Sequence, residues 1–408
     1  MTAELLLPSQ RRSLSEYLAG DGYTALTWAR ADPAAGRAAL LSTTLTGLGG
    51  AHFPLSRKVA AMLDQPGPRA VVCNAAEDEP GSGKDLALLA ANPHVVIEGS
   101  LIAAAALDAE EVVFYLSENA TDQIAGLTSA LAEHAERQPS GGPALRLVPA
   151  PDRYVAGEAT AAVSAIDGGA GKPTGHPPHP TECGVGGRPT LVSNCETLAN
   201  LPRMLRAAQR GVEPHWTRLT TLSGDIAKPG VYEVNPAVDT FAALIVRAGG
   251  LTGSGVLKAL QPGGPSSRFL PATAAGTAIR DADIRAAGSQ PGCLAVRVVT
   301  TDSCIVEICA EITDFFAREQ CGQCPPCRMK TQTYQRTLQQ ISSGKGSWDL
   351  LDKLGTVEDF VSDMPRKCAL IDMPTPPITS ARTLFPGDFG AHIEYGSCAP
   401  TPTPAVAH

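Results

Sequence analysis

Apolar and polar positions in the first half of the chain alternate in a way that predicts a layered α/β domain. Short apolar runs typical of buried strands begin at Val71, Val112 and Leu145, and stretches with helical periodicity lie between them. Strands that alternate with helices at this pitch predict a parallel sheet, in which ligands bind beyond the carboxyl ends of the strands. The polar segment 77–81 follows the first run, so we expect it at such an end.

From Arg218 the pattern changes to half-buried strands, at residues 219–223 and 230–234, and a short amphipathic helix that ends at Gly249. Beyond Thr301 the apolar positions follow a helical period, which predicts a small bundle. The sequence therefore predicts an α/β domain, a small β domain with one helix, a helical bundle and a disordered tail, at residues 1–212, 213–300, 301–395 and 396–408.

Length and composition exclude several classes of protein. The 408 residues suffice for two or three domains, and 43% apolar with 18% charged residues is typical of a globular protein. No run of about 18 apolar residues is present to span a bilayer, and the start lacks the features of a signal peptide. We therefore expect a cytoplasmic protein that reaches a membrane only through other subunits. The net charge of -8 argues against nucleic acid as a partner.

Four cysteines are the strongest chemical signal in the chain. Cys321, Cys324 and Cys327 have the spacing C-x2-C-x2-C, and a helical segment leads to a distant fourth, Cys368. Four thiolates are what a cubane iron–sulfur cluster takes, whereas zinc sites usually bring two separated pairs, so iron is favoured over zinc or idle thiols. The seven others of the 11 cysteines are expected to be ordinary reduced thiols: Cys73, Cys183, Cys195, Cys293, Cys304, Cys309 and Cys398.

Two loops are candidates for ligand binding. The glycine-rich segment 47–54 leads to Lys58, and glycines this dense let backbone N–H groups approach a phosphate, although many surface loops are also rich in glycine. The proline- and glycine-rich segment 168–189 is too long for a simple connection, which favours a binding loop over a stiff surface excursion.

With these pieces in place, the chain closely resembles the F subunit of bacterial respiratory complex I, which oxidises NADH, and its relatives in soluble hydrogenases and formate dehydrogenases. The similarity extends from about residue 17 to residue 389. Its most specific parts are the cysteine motif, the segment that starts at Asn194, the end of the first predicted strand and the glycine loop, at residues 319–328, 194–200, 73–81 and 47–54.

The resemblance implies a Rossmann-like parallel-sheet domain that holds FMN, a β-grasp domain of the soluble-ligand-binding type, and a helical bundle that holds a [4Fe–4S] cluster. NADH is implied to stack near Phe53, and Glu79 and Glu158 are the implied catalytic carboxylates. The implied FMN ligands are Gly47, Gly49, Gly50, Lys58, Asn74, Glu77, Gly157, Glu158 and Asn194.

These cofactors imply a path for electrons. NADH gives a hydride to FMN, and single electrons pass to the cluster and then to partner iron–sulfur subunits, a small [2Fe–2S] subunit and a larger multi-cluster subunit. Those partners would place the protein in the cytoplasm, with a possible position on the inner face of the cell membrane.

The sequence departs from the family pattern near the expected dinucleotide site. His176 and His179 stand where a lysine and a phenylalanine are usual, and the remaining departures are Leu48, His52, Ala76, Ala159 and Ser193. All cluster ligands are kept, so electron transfer is the firmer expectation. Two rivals follow: a flavin reductase driven by ferredoxin or NADPH in a smaller soluble complex, and a relay subunit with an impaired dinucleotide site.

Overall fold

The computed structural model describes residues 6–137, 142–214 and 216–398. The chain divides into two compact units, Met1–Thr221 with Val231–Pro236, and Leu222–Gly230 with Ala237–His408. The predicted limits of the domains stay predictions. The predicted tail, 396–408, is described only as far as Cys398, and residues 399–408 lie outside the described part of the chain.

The first unit contains ten of the described helices, four complete strands and parts of two further strands. The helices are α1 (Leu14–Ala19), α2 (Thr24–Ala31), α3 (Pro33–Ser42), α4 (Leu55–Leu63), α5 (Lys84–Ala91), α6 (Pro93–Leu107), α7 (Thr121–Ala135), α8 (Ala159–Ile166), α9 (Cys195–Ala199) and α10 (Leu201–Arg210). The complete strands are β1 (Arg69–Ala75), β2 (Ala109–Ser117), β3 (Ala144–Ala150) and β4 (Thr190–Asn194).

These four strands form one parallel sheet in the order β3-β2-β1-β4. The chain therefore builds outward from β1 in one direction through β2 and β3, and returns to the other side of β1 with β4. In a parallel sheet this reversal opens a crevice at the carboxyl ends of the two neighbouring strands. The predicted parallel α/β fold is confirmed, and the reversal that favours a ligand crevice lies between β1 and β4.

Helix α6 is the central helix of the first unit. Nearly all of its residues are buried, as expected of a helix that is apolar on most of its sides. Its buried Glu98 accepts hydrogen bonds from the backbone N–H groups of Tyr23 (2.9 Å) and Leu26 (3.2 Å) and from the Tyr17 hydroxyl. A Cβ atom at Gly99 would lie 1.9 Å from the Leu198 carbonyl oxygen, so only glycine lets α6 and α9 approach so closely.

Helix α7 begins without a side-chain cap. Thr121 is its first helical residue, and Ala120 precedes it as the N-cap without a side-chain hydrogen bond.

The five remaining strands form a second sheet, in the order β6-β5-β9-β7-β8. They are β5 (Arg218–Gly224), β6 (Gly230–Val234), β7 (Leu257–Gln261), β8 (Leu270–Pro271) and β9 (Ala295–Thr300). Strand β7 is antiparallel to both β8 and β9. Two short helices, α11 (Phe241–Arg247) and α12 (Asp281–Ala286), accompany this sheet. Thr240 caps α11, because its side chain accepts from the Ala243 N–H at 3.2 Å.

The C-terminal region is the predicted helical bundle. It consists of α13 (Ile305–Glu319), α14 (Pro325–Ser342), α15 (Trp348–Val361), α16 (Thr375–Leu384) and α17 (Pro386–Tyr395). Buried Phe316, Leu338 and Ile341 contribute to its interior. Lys330 is also buried there, and its ammonium pairs with Glu358 at 2.5 Å, which satisfies a charge that burial alone would penalise.

No single helix among the described residues is long and apolar enough to cross a membrane. Helices α5 and α6 reach that length and composition only when taken together, across a bend of 102°.

Candidate flavin and iron–sulfur sites

Two asparagines meet at the carboxyl ends of β1 and β4. Asn74 and Asn194 are direct partners in the parallel register of these strands. The Asn74 amide donates to the Gly157 carbonyl oxygen at 2.8 Å, and its oxygen accepts from the Ala76 N–H at 3.2 Å. A Cβ atom at Gly157 would lie 3.0 Å from the Ala76 carbonyl oxygen. Three segments that the sequence predicts to bind FMN therefore meet at one edge of the sheet.

The glycine loop closes over this edge. The Gly47 N–H donates to the Phe53 carbonyl oxygen at 2.9 Å, and an isolated antiparallel bridge joins the residues on either side of the loop. A Cβ atom at Gly49 would lie 3.1 Å from Cβ of Asn194, whereas Gly50, with a φ of +111°, faces open space. The loop therefore lies against β4 at one glycine and leaves room for a ligand beside the next.

Two departures from the family pattern are accommodated within this loop. Leu48 is buried, and its N–H donates to the Thr197 hydroxyl at 2.8 Å, so its side chain takes a place in the core. His52 has a φ of +51°, a left-handed conformation that glycine adopts more readily than other residues. The backbone keeps the conformation that the usual glycine would favour, and histidine adopts it at some cost.

Lys58 on α4 is a cation held close to the crevice. Its ammonium donates to the carbonyl oxygen of Val192 on β4 at 3.0 Å. Burial lowers the pKa of this ammonium, and no carboxylate offsets the effect among the residues that the structure describes. A desolvated cation without a counter-ion favours a bound anion, and a phosphate would supply one.

A second cation, Lys84, was not anticipated from the sequence. Its buried ammonium pairs with Asp85 at 2.8 Å and Glu196 at 3.0 Å and donates to the side-chain oxygen of Asn194 at 3.3 Å. These carboxylates raise the pKa of Lys84 despite burial. The Asn194 amide also donates to Asp85 at 2.6 Å. This network of hydrogen bonds and ion pairs fixes the Asn194 side chain. In the sequence, the network is indicated locally only by a lysine and an aspartate at the start of a helix.

Glu77 anchors the beginning of α5. Its carboxylate accepts from the backbone N–H groups of Lys84 (2.9 Å), Asp85 (2.9 Å) and Leu86 (3.0 Å), and from the Ser82 hydroxyl. Burial, and then the nearby Asp85 carboxylate, raise the pKa of Glu77 to about 7. The carboxylate of this predicted FMN ligand therefore holds the loop after β1 in shape.

Glu79 and Phe53 are the predicted contacts for NADH. Burial raises the pKa of Glu79 to about 7; the Tyr154 hydroxyl hydrogen-bonds to its carboxylate and opposes that rise, while the negative charge of Glu77 adds to it. Phe53 is 46% exposed, a large exposure for a phenylalanine next to a glycine loop. An exposed ring suits stacking against a planar group.

Glu158, the second predicted catalytic carboxylate, caps α8. It accepts from the N–H groups of Thr160 (2.9 Å) and Ala161 (3.0 Å) and from the Thr160 hydroxyl. The proline-rich loop is tied to the same place, since the Thr174 N–H donates to the Thr160 hydroxyl oxygen at 3.0 Å. Farther along this loop, the exposed rings of His176 and His179 stack on each other with centroids 4.6 Å apart.

The four cysteines of the predicted cluster site lie together at the start of α14. Burial raises the pKa of Cys327 to about 12, with further contributions from the nearby thiols of Cys368, Cys324 and Cys321. Cys324 is the N-cap of α14. The Lys367 ammonium donates to the side-chain oxygen of Gln323 at 3.1 Å, which holds the segment of the fourth cysteine against the other three.

The residues present fit both groups that the sequence implies. The half-buried Lys58, without a carboxylate partner among the described residues, and an open glycine loop suit the phosphate end of FMN. Four neighbouring thiols, three of them half-buried, match the ligand set of a cubane cluster.

Comparisons with known proteins agree with this geometry. Residues 41–203 match the family model described as the Nuo51 FMN-binding domain, and residues 307–392 match the NADH-ubiquinone oxidoreductase-F iron–sulfur binding region. The F subunit of the NADH-quinone oxidoreductase of Mycobacterium tuberculosis is 33% identical over 346 residues, covering 81% of this chain and 77% of that protein. The F subunit numbered 2 of the same enzyme in Rhizobium meliloti is 31% identical over 402 residues, covering 94% and 95%. The chain belongs to the family of NADH-quinone oxidoreductase F subunits.

A solved relative of this family member has the same fold. A chain in the crystal structure of an NAD⁺-reducing [NiFe]-hydrogenase in the H2-reduced state superimposes with a TM-score of 0.83 at 27% identity, covering 94% of this chain and 67% of that one. The predicted family, fold class, FMN and 4Fe–4S cluster are confirmed by these matches. The relatives carry the name of the predicted enzyme class. As a family member, the chain is one component of a multi-subunit assembly.

Proposed function

We propose that this chain is the flavoprotein subunit of an NADH dehydrogenase, which oxidises NADH at FMN and passes single electrons through a [4Fe–4S] cluster to partner subunits. The observation that carries the proposal is Lys58, a desolvated cation without a carboxylate partner among the described residues, beside the crevice between β1 and β4. When bound, FMN takes up the two electrons of a hydride and can release them singly, and a cubane cluster carries one at a time.

The protein's own residues would position the reactants. Lys58 and the loop 47–50 would bind the phosphate of FMN, while Asn74, Gly157 and Asn194 would present polar groups at the edge of the sheet. The exposed ring of Phe53 would stack on the dinucleotide and Glu79 would approach its polar groups. Glu77 and Glu158 would act mainly by holding the two adjoining loops, because their carboxylates already accept bonds from helix starts.

The cluster would be held by Cys321, Cys324, Cys327 and Cys368, and the electrons would leave for iron–sulfur subunits. We propose as partners a small [2Fe–2S] subunit and a larger multi-cluster subunit, in the cytoplasm or on the inner face of the cell membrane. The name of the solved relative, an NAD⁺-reducing hydrogenase, supports a partner arrangement of this general kind.

An anaerobic titration tests the proposal. The flavin of the purified protein is followed by its absorbance while NADH is added, and the cluster is followed by electron paramagnetic resonance. NADH should bleach the flavin and then produce the signal of a reduced cluster. Bleaching without a cluster signal, or no bleaching at any concentration of NADH, would contradict the proposal.

The histidine pair favours a second candidate donor. His176 and His179 stack on each other and replace the lysine and phenylalanine usual at these positions, so the loop that carries them differs in charge and shape from the family pattern. A member that uses NADPH or reduced ferredoxin would fit such a change. The same titration separates the candidates, since rapid bleaching by either donor together with no response to NADH would select the second.

A further inference from the structure

Two cysteines and a histidine meet in the C-terminal bundle, away from the cysteine motif in the sequence. The Nε2 atom of His392 lies 3.2 Å from Sγ of Cys304 and 3.2 Å from Sγ of Cys398. All three ligand atoms lie within 4.8 Å of one another, and among the described residues no other group of three possible ligands is this compact. His392 is 2% exposed, while the two cysteines are half-buried.

The second nitrogen of His392 fixes how the ring can bind. Its Nδ1 atom lies 3.1 Å from the carbonyl oxygen of Ser342, the last residue of α14. The last carbonyl groups of a helix lack a partner N–H within the helix, so this oxygen can accept from the imidazole. An Nδ1–H donor to this oxygen leaves the lone pair on Nε2, directed at the two sulfur atoms. Histidine ligands of metals commonly donate their other N–H to a carbonyl in this way.

Local backbone structure brings the third ligand back to the bundle. Helix α17 ends at Tyr395, and its C-cap residue Gly396 has a φ of +81°, which turns the chain. A Cβ atom at Gly344 would lie 2.5 Å from Cα of Gly396, so glycine at position 344 lets the chain after α17 pass close to the end of α14. Cys398 follows two residues later, and Cys304 is the N-cap of α13. Three separate helix ends thus converge on one point.

The separations suit a tetrahedral metal ion. With Zn–S bonds of about 2.3 Å and a Zn–N bond of about 2.0 Å, sulfur and nitrogen ligands lie about 3.6 Å apart. The observed 3.2 Å is within a few tenths of an ångström of that spacing. Two thiolates would balance the charge of a divalent ion, and the nearby Lys258–Asp388 ion pair is already neutral. Thiolate and imidazole together select zinc among common cations.

We propose that Cys304, His392 and Cys398 bind a Zn²⁺ ion that ties the start of α13 to the end of α17. Both thiols release their protons on binding, and water takes the fourth position. The site is distinct from the cluster, because it shares no cysteine with it and because Cys304 and Cys398 lie outside the matched iron–sulfur region, residues 307–392. The ion joins ends of helices that the cluster motif does not hold.

The test measures zinc and iron on the full chain. Protein purified without chelator is incubated with one equivalent of Zn²⁺ per chain, desalted and analysed by mass spectrometry of the metals. Wild type and Cys183→Ser, which removes an exposed cysteine, should retain about one zinc for each chain. Cys398→Ser and Cys304→Ser should bind zinc at least about tenfold more weakly. Unchanged iron in every variant shows that the bundle is folded and that the cluster is intact.

X-ray absorption at the zinc edge identifies the ligands despite the iron. We expect two sulfur atoms at about 2.3 Å and one nitrogen at about 2.0 Å. Four sulfur ligands would place zinc in the cluster motif and overturn the proposal. So would wild type that retains no zinc, zinc content unaffected by Cys398→Ser, or an intact mass lower by two hydrogens that is restored by reductant, since that would identify a Cys304–Cys398 disulfide.

Discussion

At the scale of single residues, Lys58 gives the sharpest test of the flavin site. Lys58→Ala should weaken FMN binding about 10- to 150-fold, because it removes a charge-assisted hydrogen bond worth about 1.5–3 kcal/mol. The measurement is quenching of FMN fluorescence on addition to the flavin-free protein. Arg57→Ala removes a neighbouring exposed cation and serves as the control, with affinity expected to stay at the wild-type value. Equal affinity in all three proteins would contradict the assignment.

The burial of Lys58 also predicts that the affinity for FMN depends on pH. Burial lowers the pKa of Lys58, and only the charged ammonium attracts a phosphate. FMN affinity should therefore be lost as pH rises through that lowered pKa, whereas Lys58→Arg, whose guanidinium stays charged, should keep its affinity over the same range. Affinity measured across alkaline pH checks this, and a parallel decline in both proteins would count against Lys58.

Glu79 predicts a second pH effect, in the affinity for the dinucleotide. Its pKa is raised to about 7, so the side chain becomes negative as pH rises through that value. The dinucleotide is an anion, and one more nearby negative charge should weaken its binding by about 1 kcal/mol, or about fivefold. The KM for NADH should rise above pH 7 in wild type, and this step should shrink in Glu79→Gln.

Glu110→Gln is the matched control for Glu79, because Glu110 is exposed near the start of β2, at the opposite end of the strands. It should leave the pH profile unchanged. A KM that falls as pH rises would show instead that Glu79 is needed as a charged acceptor.

At the scale of elements, the contact between α6 and α9 supports the site from behind. Gly99→Ala would place a methyl group 1.9 Å from the Leu198 carbonyl oxygen, so one helix must shift. We expect a loss of about 1–3 kcal/mol in the free energy of unfolding, measured with urea. Because Asn194 caps α9, the shift should also weaken FMN binding.

The control for Gly99→Ala is Gly126→Ala on α7. There the nearest atoms to an added Cβ belong to the Arg11 guanidinium, at 3.7 Å, an ordinary contact. Alanine favours a helix over glycine by about 1 kcal/mol, so this variant should be as stable as wild type or more so. Similar unfolding curves for both variants would show that α6 and α9 adjust without cost.

At the scale of the whole molecule, the residues predicted to hold each cofactor lie within one of the two compact units. Cys324→Ser should therefore lower iron content sharply and abolish the signal of a reduced cluster, while NADH still bleaches the flavin. Anaerobic spectra and iron analysis measure both effects. Cys183→Ser, which replaces an exposed cysteine of the first unit, should change neither. A cluster signal that survives in Cys324→Ser would show that this thiol is not a ligand.

Much of this organisation could be predicted from the sequence, for a physical reason. Apolar periodicity is local, so it indicated the parallel α/β layer, the small sheet and the bundle. The thiol spacing around Cys324 is also local, and it predicted a cluster without any contact information. Asn74 and Asn194 could be named separately by resemblance to a family.

The tertiary structure alone decided which of these residues meet. The register of β1 and β4 pairs Asn74 with Asn194, and folding buries Lys84 beside Glu196, a partner far away in the sequence. Nothing in the sequence distinguishes Cys304 and Cys398 from ordinary thiols. Their sulfur atoms lie next to Nε2 of His392 only because three helix ends converge in the folded chain. Periodicity and short motifs depend on residues that are close together in the chain, so they predict single helices, strands and ligand motifs. Contacts between distant segments, and the charges that they bury together, exist only once the chain is packed.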